Sequence, residues 1–105
     1  LIRIKGGVDV GGLRAEIVLA ICIASNVFEA FGVDCVITSV FDGVHKKDSL
    51  HDDGLAVDLR TRDLPPASVT IVAAQIRACL WRQYQVVVER DHMHIEFDPK
   101  QGGAS

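Results

Sequence analysis

The ten residues Ser49-Leu50-His51-Asp52-Asp53-Gly54-Leu55-Ala56-Val57-Asp58 place an imidazole and a carboxylate seven positions apart. From Leu55 to Arg60, apolar and other residues alternate as in a half-buried strand. Leu55, Val57 and Leu59 are therefore expected to face a core, with Ala56, Asp58 and Arg60 on the opposite side. Gly54 marks the turn into this strand, and His51 precedes it in a loop that can fold back toward Asp58. A second histidine-bearing stretch, His92-Met93-His94-Ile95-Glu96-Phe97, alternates in the same way. Met93, Ile95 and Phe97 share one face, and His92, His94 and Glu96 share the other. Imidazole nitrogens together with one carboxylate oxygen are a donor set that suits zinc, with a coordination position left open for water in a catalytic site.

The elements that must hold these groups can be read from periodicity. Leu1 to Lys5 reads as a short strand, suited to a sheet edge, followed by a glycine-rich turn region. Leu13, Ile17, Ala20, Ile21, Ala24, Val27, Phe28 and Phe31 recur at helical spacing, and Gly32 is a natural helix stop. Val33 to Val40 is rich in β-branched residues and reads as a strand; Phe41 to Leu50 reads as a polar loop. Pro65-Pro66 opens a second helix, with a stripe through Val69, Val72, Ala73, Ile76, Leu80 and Trp81 to about Tyr84. Gln85 to Glu89 and His92 to Phe97 complete the set as strands, and residues 98–105 form a polar tail. The expected class is α+β: one domain over residues 1–105, with a small antiparallel sheet covered by helices on one face.

Composition narrows the function classes. The chain has 105 residues, 49% of them hydrophobic, enough for one core. Its formal net charge of -3 comes from interspersed acids and bases, so no nucleic-acid partner is expected. Cys22, Cys35 and Cys79 lack C-x-x-C spacing and fall in apolar patterns, so all three are expected as buried thiols. No signal peptide is evident. Arg14, Glu16, Asn26 and Glu29 bracket the apolar stretch Ile17 to Ala24 too closely for a membrane span. The oligomeric state is open.

The pattern Ser49-x-His51-x-x-Gly54-x-Ala56-x-Asp58, followed by Asp91-x-x-His94 within a His-x-His pair, resembles the zinc peptidases that cut bonds beside D-amino acids in bacterial cell walls. These include D-alanyl-D-alanine carboxypeptidases and the L-alanyl-D-glutamate endolysins of bacteriophages. The resemblance runs from the strand at Ile37 through Phe97. It implies a hedgehog/DD-peptidase-like fold, zinc as cofactor and peptidoglycan stem peptides as substrate. It further implies His51, Asp58 and His94 as zinc ligands and Asp91 as the general base that activates water. His92 would line the site, and Ser49 would support the first ligand loop. Glu89-x-x-His92 offers a second acid–histidine frame, and Asp91-x-x-His94 is preferred because Glu89 lies further back along the strand.

The family commonly carries an arginine after the Thr-Ser of the preceding strand. After Thr38-Ser39 this chain has none, and His45 or Lys46 is the replacement available. Strict strand alternation would also put Asp91 with Met93, so its role as base requires a bend at Arg90-Asp91. Arg60 and Arg62 are expected to form a solvated charge pair with Asp63, the alternative being a hold on a substrate carboxylate. The compactness resembles that of a phage or prophage lytic domain, made in the host cytoplasm before acting on the wall. The alternative function is a non-catalytic, zinc-stabilised cell-wall or protein-binding module on the same scaffold.

Overall fold

Helix α1, Ala15–Ala30, forms where the sequence repeats apolar residues every three or four positions. Its buried stripe is Ile17, Ala20, Ile21, Ala24, Val27 and Phe28. The helix stops at Gly32, which adopts φ +76°. The Gly32 N–H donates to the Glu29 carbonyl at 2.9 Å, and the Val33 N–H donates to the Phe28 carbonyl at 3.1 Å. This is a Schellman closure, and the left-handed backbone it needs is the conformation glycine adopts without strain.

The computed structural model describes residues 1–41 and 55–99. Before α1 comes strand β1, Ile2–Ile4, and after it β2, Cys35–Phe41. These are followed by β3, Ala56–Arg60, a 3-10 turn at Pro66–Ser68, and helix α2, Val69–Cys79. The hairpin of β4, Tyr84–Val88, and β5, His92–Phe97, closes the described chain. The strands form one five-stranded sheet in the order β1-β2-β3-β5-β4.

The architecture is a small α+β domain, as composition and periodicity lead one to expect. The sheet, however, is mixed rather than purely antiparallel. β1 pairs parallel to β2, with Ile2 opposite Cys35 and Ile4 opposite Ile37. Helix α1 is the crossover that makes this possible, because parallel neighbours need a long connection between them. β1 occupies the edge of the sheet and β3 its centre, which buries Asp58.

One apolar cluster joins both helices to one face of the sheet. Phe28 and Ile17 from α1 and Val72 and Ile76 from α2 meet Val57, Leu59, Met93 and Ile95 of β3 and β5. Alternation thus holds in the strands that matter most for the site. Met93 and Ile95 are fully buried, and His92, His94 and Glu96 lie on the other side.

Three expectations require correction. Helix α2 ends at Cys79, where Leu80 turns to an extended conformation, rather than running to Tyr84. Tyr84 instead starts β4 opposite Phe97, and its hydroxyl donates to the Glu16 carbonyl at 2.8 Å. That early stop leaves Trp81 62% exposed, stacked on Tyr84 rather than packed in the core. Cys22 and Cys79 are likewise exposed, on the outer sides of their helices; only Cys35 is buried. Burial pushes the Cys35 thiol up to about 12, so it stays protonated and unreactive.

Candidate functional site

The polar face of the sheet is built around a cross-strand pair. In the β3–β5 ladder, Asp58 lies directly opposite His94, and Arg60 directly opposite His92. Opposed residues share a face, so the Asp58–His94 contact follows from register directly and His92 becomes the diagonal neighbour of Asp58. The His94 Nδ1–H donates to Asp58 Oδ1 at 2.7 Å, and its Nε2–H donates to Glu96 Oε1 at 3.0 Å. The other Asp58 oxygen, Oδ2, lies 3.6 Å from His92 Nε2. Phe41 closes this end of the face, its ring edge-on to His94 with centroids 5.6 Å apart.

Carboxylates only accept hydrogen bonds, so an imidazole held between two of them donates from both nitrogens and favours the imidazolium form. The hydrogen bond to Asp58 raises the His94 pKa above its ordinary 6.5; burial opposes the shift and the bond to Glu96 adds to it. A pKa raised on folding means that protonated His94 stabilises the metal-free fold. That contribution is fully present below about pH 6.5 and is lost as pH rises through the folded-state pKa. Stability of the chelator-treated chain, measured by urea denaturation, is therefore expected to fall from pH 6 to pH 8. The His94→Gln variant is expected to show a flatter profile; identical slopes in the two proteins would contradict the imidazolium.

Asp91 is placed by the β4–β5 turn. The Glu89 N–H donates to the His92 carbonyl at 2.8 Å, closing a tight hairpin through Arg90 and Asp91. This turn supplies the bend that Asp91 needs to leave the Met93 side. Its Oδ1 accepts from His92 Nδ1 at 2.7 Å, and this bond above all holds the Asp91 carboxyl below the usual carboxylate range. The Asp91 side chain is 82% exposed, so the pair is solvated and contributes little to stability.

A bulge in β2 shapes the other wall. Ile37 pairs with Leu59 and Ser39 with Asp58, so Thr38 is the extra residue between them. Thr38 and Ser39 both line a cleft of about 300 Å³ with Asp58, Asp91 and His92. Two consecutive hydroxyl residues on one side of a strand are possible only because of such a bulge. Lys5, Arg60 and Arg62 complete the cleft wall. Among the described residues, neither arginine forms the expected ion pair with Asp63.

Asp58, Asp91, His92 and His94 are thus brought together, while His45, Ser49 and His51 lie outside the described residues. Among the described residues, no group of three or more His, Cys, Asp or Glu side chains is arranged to hold a metal ion. The chemistry of the pair nonetheless fits zinc. An imidazole nitrogen and a carboxylate oxygen on adjacent strands are donor types that zinc takes. Two features have no single-residue signal in the sequence. Lys5 reaches the cleft through the β1–β2 pairing, and Thr38 and Ser39 through a bulge that no composition pattern marks. Glu96 had a signal, its place on the histidine face, and it becomes a hydrogen-bond partner of His94.

No protein-family model matches the chain, and a comparison with curated proteins returns no match. No helix among the described residues is long and apolar enough to cross a membrane.

Proposed function

We propose that the chain is a zinc metallopeptidase that hydrolyses peptide bonds of peptidoglycan stem peptides, on a hedgehog/DD-peptidase-like fold. The observation that carries this reading is the Asp58–His94 pair, set in register on two interior strands, with Asp58 sharing a cleft with Asp91 and His92. His51, Asp58 and His94 would hold the metal. Bound zinc would polarise the scissile carbonyl and acidify a water molecule.

The remaining steps belong to the protein's own side chains. Asp91, ionised and at the cleft mouth, accepts the proton of the attacking water and passes it to the leaving amine. His92, hydrogen-bonded to Asp91 and close to Asp58, fixes the Asp91 carboxylate and lines the site beside the scissile bond. Glu96 orients the His94 ring through Nε2. Thr38 and Ser39 supply hydroxyls to the substrate backbone. The bond would be L-alanyl-D-glutamate or D-alanyl-D-alanine.

Digestion of purified muropeptides in the presence of zinc tests the proposal. New amino termini at one of these two bonds, abolished by chelation and restored by added zinc, are the expected result. Intact muropeptides after prolonged incubation with the zinc-loaded chain would contradict it.

A further inference from the structure

A second cleft lies between the start of α1 and the paired ends of β4 and β5. Trp81, Tyr84 and Phe97 bring three aromatic rings to it; its volume is about 440 Å³, and Leu19, Gln83 and Glu16 line it as well. It shares no lining residue with the cleft around Asp58.

The fold positions all three rings. Tyr84 faces Phe97 in the β4–β5 ladder, with ring centroids 4.9 Å apart. The Tyr84 hydroxyl donates to the Glu16 carbonyl at 2.8 Å, which ties the strand to α1. A turn carries Trp81 to the same place: the Tyr84 N–H donates to the Trp81 carbonyl at 3.0 Å, and the two rings stack with centroids 6.2 Å apart. An indole is among the largest apolar surfaces a side chain can bury, yet Trp81 stays 62% exposed here. Packing against the core therefore does not account for its place.

The faces of aromatic rings are the negative part of their quadrupole and attract cations. Among the described residues, Glu16 is the one charged side chain that lines this cleft, and it is an acid. Trp81 and Tyr84 also border a neighbouring cleft, and the nearby arginines, Arg77 and Arg82, lie in that one. Arg77 is engaged there, donating from Nη2 and Nε to the Val86 carbonyl at 2.7 and 3.0 Å. Rings and carboxylate thus agree in sign. The type of cation follows from the acceptors. A primary ammonium brings three N–H donors and a guanidinium five, all of which need partners once they leave water. Side-chain oxygens in the cleft come only from Glu16, Gln83 and the Tyr84 hydroxyl, and the last already bonds to α1. A quaternary ammonium has no N–H to satisfy and presents methyl groups to the rings, so it loses least on entering.

We propose that Trp81, Tyr84, Phe97 and Glu16 form a binding site for a small quaternary ammonium compound of the choline type, with Trp81 as the open face that receives it. The site goes beyond the peptidase reading and stands without it, since it needs neither metal nor cleavage.

Trp81 is the only tryptophan of the chain, so its fluorescence reports on this site alone. Titration with choline is expected to change the emission saturably, with a Kd in the millimolar range or tighter. Two probes isolate the cause: ethanolamine keeps the skeleton but carries a primary ammonium, and the matching dimethylbutanol has carbon in place of the nitrogen. Each is expected to bind about tenfold or more weakly than choline. Glu16→Gln, read by the same emission, is expected to weaken choline about two- to fivefold and leave dimethylbutanol unchanged, whereas a merely structural effect would move both. Trp81→Leu, followed by NMR titration, is expected to weaken choline about tenfold. Both positions are exposed, so both variants should fold as the parent does. An emission that choline does not change, equal affinity for choline and either probe, or full choline affinity in Trp81→Leu would each overturn the inference.

Discussion

Replacing Asp91 with Ala is expected to lower muropeptide turnover by about 10²–10⁴-fold, the range lost when a positioned general base is removed. Metal content and fold should be unchanged. The separation is possible because of where Asp91 sits. It belongs to a hairpin turn, its side chain is 82% exposed, and its only described side-chain partner is His92. Water screens a solvated ion pair of this kind, so its loss leaves the fold intact. Turnover, zinc per chain and thermal unfolding measured on one preparation would check all three statements. Undiminished turnover would move the base elsewhere, Glu89 being the next acid in the turn, although Glu89 does not line the cleft with Asp58 and His92. A variant with no turnover to lose, yet with wall binding intact in both proteins, would favour the non-catalytic binding module.

The largest effect on stability is expected from Phe28→Ala, a loss of about 3–5 kcal/mol. Phe28 is the bulkiest of the fully buried side chains, and it stands where α1 meets the sheet. Its carbonyl also closes the helix by accepting from Val33 at 3.1 Å, so the truncated site has little freedom to collapse into the void. In a domain whose total stability is about 5–15 kcal/mol, this is a large fraction. The melting temperature should drop by more than about 10 °C, since each kcal/mol is worth several degrees in a chain of this size. A loss below about 1 kcal/mol in urea denaturation would show that the core is not organised around α1 as described.

The strands that carry the site were legible because their alternation is strict. Val57 and Leu59 against Asp58, and Met93 and Ile95 against His92 and His94, leave one register that buries the apolar set, and the ladder adopts it. Helix α1 was legible for the same reason, with Gly32 marking its end. The end of α2 was not, because Leu80 and Trp81 continue an apolar spacing that the backbone abandons in favour of starting β4. The thiols of Cys22 and Cys79 misled because cysteine resembles a small hydrophobe in a periodic pattern, whereas its exposure depends on a few tens of degrees of helix rotation. The cationic wall of the Asp58 cleft was the least legible part. Arg60 and Arg62 have Asp63 as a neighbour in sequence, but β3 ends at Arg60 and the chain turns from Thr61 to Leu64, where the Leu64 N–H donates to the Thr61 carbonyl at 3.0 Å, and Lys5 arrives only through long-range pairing.

The most direct test of the zinc peptidase account is the metal content of the purified chain, measured by elemental analysis beside the Asp58→Ala and His94→Ala variants. The account predicts about one zinc per wild-type chain and loss of most of it in both variants, each of which removes one donor of the cross-strand pair. A wild-type chain that carries no zinc and takes up none when it is added, or variants that retain it in full, would contradict it.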